Sequence, residues 1–80
     1  MRLNDLRSDT CYIIVSEGTK TIYLWKGLRS SVRSKFIGVR RAQEVRDQMG
    51  AQYNITAIDE GDEDPEFLRL LGDFNQNDDN

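Results

Sequence analysis

Eighty residues, 38% of them hydrophobic and 31% charged, make room for one small domain with a thin core. With no histidine and a single cysteine, Cys11, imidazole catalysis, thiolate zinc sites, iron–sulfur clusters and an internal disulfide are excluded. The net charge of −3 hides a segregation: between Lys26 and Arg46 seven bases stand against one acid, Glu44, a local +6 that leaves −9 for the rest.

In chain order, residues 2–7 suit a weak strand or an ordered arm. Residues 10–16, Thr-Cys-Tyr-Ile-Ile-Val-Ser, are β-branched or aromatic on both parities. That pattern describes a strand covered on both faces, hence central in a sheet. Glu17-Gly18-Thr19-Lys20 has hairpin length and carries a glycine, and Thr21-Ile22-Tyr23-Leu24-Trp25 returns as a second strand that Gly27 ends. Ser30 or Ser31 caps a helix over residues 31–49, with Gly50 as its stop. Gly38, Ala42, Val45 and Met49 form one stripe of that helix, small enough at Gly38 and Ala42 to lie close to a sheet. A second short stripe, Val32, Phe36 and Val39, occupies another face.

Tyr53-Asn54-Ile55-Thr56-Ala57-Ile58 reads as a third strand, followed by an acidic loop over residues 59–64. Asp64 caps a short helix with Pro65 first, and Gly72 stops it. The layer order is that of an α+β sandwich, a single domain over residues 1–74 with a disordered acidic tail over residues 75–80. An 80-residue domain without histidine, Walker loop or GxGxxG is not expected to be an enzyme. No apolar run approaches the roughly 20 residues that cross a bilayer, and residues 1–5 lack the apolar stretch of a secretory signal.

Three pieces of the chain, taken together, carry a resemblance. Leu6-Arg7-Ser8-Asp9 leads into Thr10-Cys11-Tyr12-Ile13-Ile14; Tyr23-Leu24-Trp25-Lys26-Gly27 leaves the hairpin; Glu60-Gly61-Asp62-Glu63 precedes Pro65, Phe67 and Leu70-Leu71-Gly72. In that order, with a long helix between the second and third, they resemble a gelsolin-homology repeat over residues 6–72. Pro65 stands one place later than the family's usual proline. The resemblance implies a central mixed sheet between one long and one short helix, in proteins that bind, cap or sever actin filaments, often under calcium control. A lone repeat is expected to bind, cap or sequester rather than sever.

Calcium is where the chain departs from the family. The aspartate of the family's site falls at Thr10 and its glutamate near Ser34, and neither brings a charge. Asp9 is one residue early, where a strand neighbour points to the opposite side. Asp59, Asp62 and Glu63 offer carboxylates for weak divalent binding, without the spacing of an EF-hand.

The family's long helix lays its outward face on the partner, which makes Val32, Arg33, Phe36, Arg40, Gln43 and Asp47 the candidate partner-binding residues. Phe36 has two readings, an interface anchor or a ring wrapped onto the core edge. Val39 is expected in the core, and Trp25 and Phe67 deep within it. The implied partner is actin or an actin homologue, and the implied location is the cytoplasm, at the cytoskeleton. The basic helix also suits anionic phosphoinositides, and a protein–protein module without an actin role is a further alternative. Nucleic acid is not expected of an acidic chain with one aromatic among its bases.

Overall fold

The computed structural model describes residues 3–72. It orders them as a 3-10 turn (Leu3–Asp5), β1 (Cys11–Ser16), β2 (Thr21–Lys26), α1 (Val32–Met49), β3 (Asn54–Asp59) and α2 (Pro65–Leu71). The tail assigned to residues 75–80 lies outside the described residues. The arm expected over residues 2–7 contains the 3-10 turn rather than a strand, and Leu6, just past the turn, is buried.

β1 and β2 form an antiparallel hairpin with Ile13 opposite Leu24, and β3 runs parallel to β2 with Ala57 opposite Leu24. The sheet order is β1-β2-β3. The central position expected for β1 is therefore corrected: β2 holds the middle and is buried from Ile22 to Trp25, whereas β1 is half-buried at an edge. Apolar residues on both parities report two covered faces, which β1 has, but they carry no information about lateral neighbours. The hairpin turn also relies on a different residue from its glycine. Lys20, not Gly18, takes the left-handed conformation, at φ 56°. Its carbonyl accepts from Asn54 N (3.0 Å) and its ammonium lies 5.4 Å from the centre of the Tyr53 ring, so the entry to β3 holds the turn in place.

Ser31 caps α1 from extended backbone, its Oγ accepting from Ser34 N at 3.0 Å, and Gly50 ends the helix at φ 120°. Gly38 and Ala42 are the buried residues of α1, and Val45 and Met49 complete the stripe against Ile22 and Tyr53. A Cβ on Gly38 would lie 3.0 Å from Leu24 Cδ1, so this glycine sets how closely helix and sheet approach. α2 begins as the sequence requires, with Asp64 Oδ1 accepting from Phe67 N (2.8 Å) and Pro65 in the first turn.

The opposite face of the sheet carries the larger core cluster, Leu6, Tyr23, Trp25, Ile58, Phe67 and Leu71. Trp25 and Phe67 are 1% and 0% exposed, in agreement with expectation. Tyr23 meets Phe67 edge-on at 5.2 Å, and Tyr12 leans on Trp25 at 5.7 Å. The three-stranded mixed sheet thus lies between one long helix and one short one, as the layer order implies.

Candidate partner-binding surface

With Gly38 and Ala42 pressed to the sheet, the 3.6-residue repeat turns Val32, Arg33, Phe36, Arg40, Gln43 and Asp47 away from it. All six are exposed, Val32 by 83% and Phe36 by 62%. Of the two readings for Phe36, the structure takes the exposed one. Val39 is a correction: it is 42% exposed rather than in the core. It lies about 100° round the helix from Gly38, on the flank of α1 rather than on the stripe pressed to the sheet.

Phe36 and Ile37 form the apolar part of a groove of about 390 Å³ whose other lining residues are Arg33, Arg40, Arg41 and Glu44. Arg41 Nε stands 4.0 Å from Glu44 Oε1. The surface therefore has an aromatic centre, guanidiniums around it and a carboxylate at one margin. Aromatic rings and arginines are the residue types that dominate protein–protein affinity once water is excluded. Ile37, 46% exposed, escaped the sequence reading. The signal was its place beside Gly38, which puts it on the flank of the helix rather than on either stripe.

The positions bearing on calcium do come together, at a second cavity of about 350 Å³ lined by Asp9, Thr10 and Cys11 from the start of β1 and by Ser34 and Arg41 from α1. Asp9 precedes β1 in a turn, so it does not alternate with Thr10 as a strand neighbour would; both line the same cavity. Its carboxylate is already engaged, accepting from Arg7 Nε (3.1 Å), Arg7 Nη2 (2.9 Å) and Thr10 Oγ1 (3.0 Å). The Arg7 hydrogen bonds, then that of Thr10, hold this carboxyl well below the usual carboxylate range. What remains is two hydroxyls with a guanidinium on the same wall. Calcium takes roughly six to eight oxygens, with charged ones carrying most of the affinity. Asp9 is the one carboxylate among the side chains that line this cavity.

Asp59, Asp62 and Glu63 do not converge either. Asp59 Oδ1 lies 3.5 Å from Lys26 Nζ, Glu63 accepts from Trp25 Nε1 at 2.7 Å and from Gly61 N at 3.1 Å, and Asp62 is exposed. Among the described residues, no group of three or more His, Cys, Asp or Glu is placed to hold a metal. Glu60, which the sequence reading gave no role of its own, accepts from Ser8 Oγ at 2.6 Å and from Leu28 N at 2.8 Å. The Ser8 bond, then the Leu28 bond, lowers the Glu60 pKa. The acidic run is a set of ties between the loop, the N-terminal arm and the exit of the hairpin.

The family model for the gelsolin repeat matches residues 2–68. The chain belongs to the gelsolin repeat family. Among solved structures it is similar to Thorarchaeota ProGel, crystallised in complex with rabbit actin: 32% identity and a TM-score of 0.83, covering 89% of this chain and 80% of that one. It is also similar to Thorarchaeota 2DGel3, again in complex with rabbit actin, at 32% identity and a TM-score of 0.66. That match covers 88% of this chain but 34% of the other, so this gelsolin repeat spans about a third of that relative. The three pieces of sequence that carry the gelsolin pattern meet in space. Ser8 is hydrogen-bonded to Glu60, and Gly27 passes so close that a Cβ there would collide with the Ser8 carbonyl. A glycine at the hairpin exit is thus a steric requirement of the junction.

Proposed function

We propose that this gelsolin repeat binds actin or an actin homologue and regulates filament assembly by binding, capping or sequestering. The outward face of α1, with Val32, Arg33, Phe36, Arg40, Gln43 and Asp47, is the docking surface in this reading. The observation that carries it is the 62% exposure of the Phe36 ring, on the helix side turned away from the sheet and within a rim of arginines. The two similar structures, each at 32% identity, are both complexes with actin, which supports the same partner.

The rival readings fit less well. A passive packing module has no use for an exposed aromatic of this size. A phosphoinositide surface calls for bases in one plane, whereas here Phe36 and Ile37 occupy the middle and Glu44 interrupts the positive rim. The reading is non-catalytic and places the protein with the cytoskeleton. Among the described residues no helix is long and apolar enough to cross a membrane. Calcium has no part in it, because the donors at Asp9, Thr10 and Ser34 do not suit the ion.

Co-sedimentation with actin filaments and the kinetics of actin polymerisation, using the full chain, test the proposal. Association with actin together with a changed polymerisation rate is expected. Neither effect at saturating protein would overturn it.

A further inference from the structure

The groove at Phe36 and the cavity beside β1 share a wall. Ile37 and Arg41 line both, whereas Phe36 and Arg40 belong to the groove and Cys11, Ile13 and Ser34 to the cavity. On the helix, Ile37 and Arg41 stand about 100° and 140° round from Phe36, on the flank that meets β1 at the cavity. The recessed part of the surface therefore departs from the outward line of α1. It turns from Phe36 over Ile37 to the start of β1, while Val32 and Gln43, on the other side of Phe36, line neither hollow.

From this we infer that the partner of the α1 face also fills the cavity, with an apolar side chain that has a carboxylate beside it. The inference rests on the docking surface proposed above and specifies what the partner presents to its β1 flank. A body seated in the groove covers Ile37 and Arg41, which are also the rim of the cavity, so it roofs the cavity as it docks. The roofed space, about 350 Å³, holds about ten waters. Cys11, Ile13 and Ile37 give it an apolar wall. Water trapped against that wall would find few hydrogen-bond partners, and an empty space would forfeit the contacts of its lining. An apolar side chain of the partner removes both costs.

The charges at the mouth select the neighbour of that side chain. Asp9 lines the cavity, but Arg7 donates to both of its oxygens, at 3.1 and 2.9 Å, so its charge is balanced within the chain. Arg41 is the opposite case. Its side chain is 71% exposed, and its Nε stands 4.0 Å from Glu44 Oε1, the outer limit of an ion pair. Arg41 therefore has donors to spare for a carboxylate of the partner, and a base in that place would be repelled.

Cys11 is the single cysteine of the chain and lines the cavity but not the groove, so its alkylation probes the cavity directly. The full chain is treated with iodoacetamide in the absence and presence of actin, and intact mass reports the modified fraction. With actin at about ten times its dissociation constant, the rate at Cys11 should fall about tenfold, to that of the free fraction. Ser34→Phe fills the cavity from α1, leaves Phe36 and Arg40 in place, and should weaken actin association about tenfold or more. Glu17→Phe, the same ring on the exposed hairpin turn, should leave association unchanged. A Cys11 rate that bound actin does not alter overturns the inference. So does a Ser34→Phe chain that matches the parent in circular dichroism and in actin affinity. Either result, with actin still bound, leaves the α1 face standing as the docking surface, whereas no association of the parent chain with actin overturns both.

Discussion

The indole N–H of Trp25 donates to Glu63 Oε2 at 2.7 Å, joining the end of β2 to the residue before the α2 cap. Trp25 is 1% exposed, so its one polar group has no water to turn to if the carboxylate is lost. Glu63→Leu should therefore destabilise the fold by about 2 kcal/mol, the cost of an orphaned donor plus a lost charge-assisted bond. Glu63→Gln, which keeps an acceptor, should cost about half as much. Urea denaturation midpoints of the two variants separate these outcomes, and equal losses would mean that the hydrogen bond contributes nothing specific.

Glu60 makes the fold sensitive to acid. Hydrogen bonds from Ser8 Oγ and Leu28 N favour its charged form and depress its pKa in the folded state. A group of this kind contributes stability that is fully present above its unfolded value of about 4.5, and that is lost as pH falls through the lower folded value. Thermal melts between neutral and acid pH should show Glu60→Gln less stable than the parent at pH 7, with the gap closing in acid. A gap that stays constant with pH would show that the carboxylate charge is not involved.

The parts of this fold legible in sequence are those set by near neighbours. Ser31, Gly50, Asp64, Pro65 and Gly72 act through backbone groups a few residues away, and Gly38-Ala42-Val45-Met49 follows from helical period alone. What escaped depends on distant chain. Serine 8 finds Glu60 across 52 positions, and the tie of Trp25 to Glu63 spans 38. Val39 is exposed because it sits on the flank of α1 rather than on its buried stripe, and β1 is an edge because β3 pairs with the other side of β2. The outward set on α1 was readable once one stripe was assigned to the sheet; Ile37, on the flank between, was not.

Gly38 should tolerate one methyl group and no more. Its Cβ would meet Leu24 Cδ1 at 3.0 Å and Cys11 Cβ at 3.4 Å. Gly38→Ala gains about 1 kcal/mol of helix propensity and spends much of it on that squeeze, so the net change should lie within about 1 kcal/mol of zero. Gly38→Leu has no such space and should destabilise by about 1–3 kcal/mol. Chemical denaturation of the pair measures how rigidly α1 is seated, and a Leu variant as stable as the parent would show that the helix lifts freely from the sheet.

Actin association should be the same in calcium and in chelator. The one carboxylate at the Thr10–Ser34 cavity is held by Arg7, and Arg41 lines the same wall. Isothermal titration with calcium alone should give no saturable heat, and co-sedimentation should not shift when chelator is added. Loss of actin association in chelator would place a functional ion at residues other than these.

The decisive substitution is Phe36→Ala combined with Arg40→Glu. Both residues are exposed on the side of α1 away from the sheet, so neither change touches the core and circular dichroism should match the parent. At a protein interface, removing a central aromatic commonly costs about 2 kcal/mol or more, which is about thirtyfold in dissociation constant. Reversing the adjacent guanidinium adds repulsion wherever the partner is acidic. Actin affinity should therefore fall by at least that factor, whereas Lys20→Ala at the far hairpin turn should leave it unchanged. Equal affinity for the double variant and the parent would move the docking surface off this face of α1, even if actin proves to be the partner.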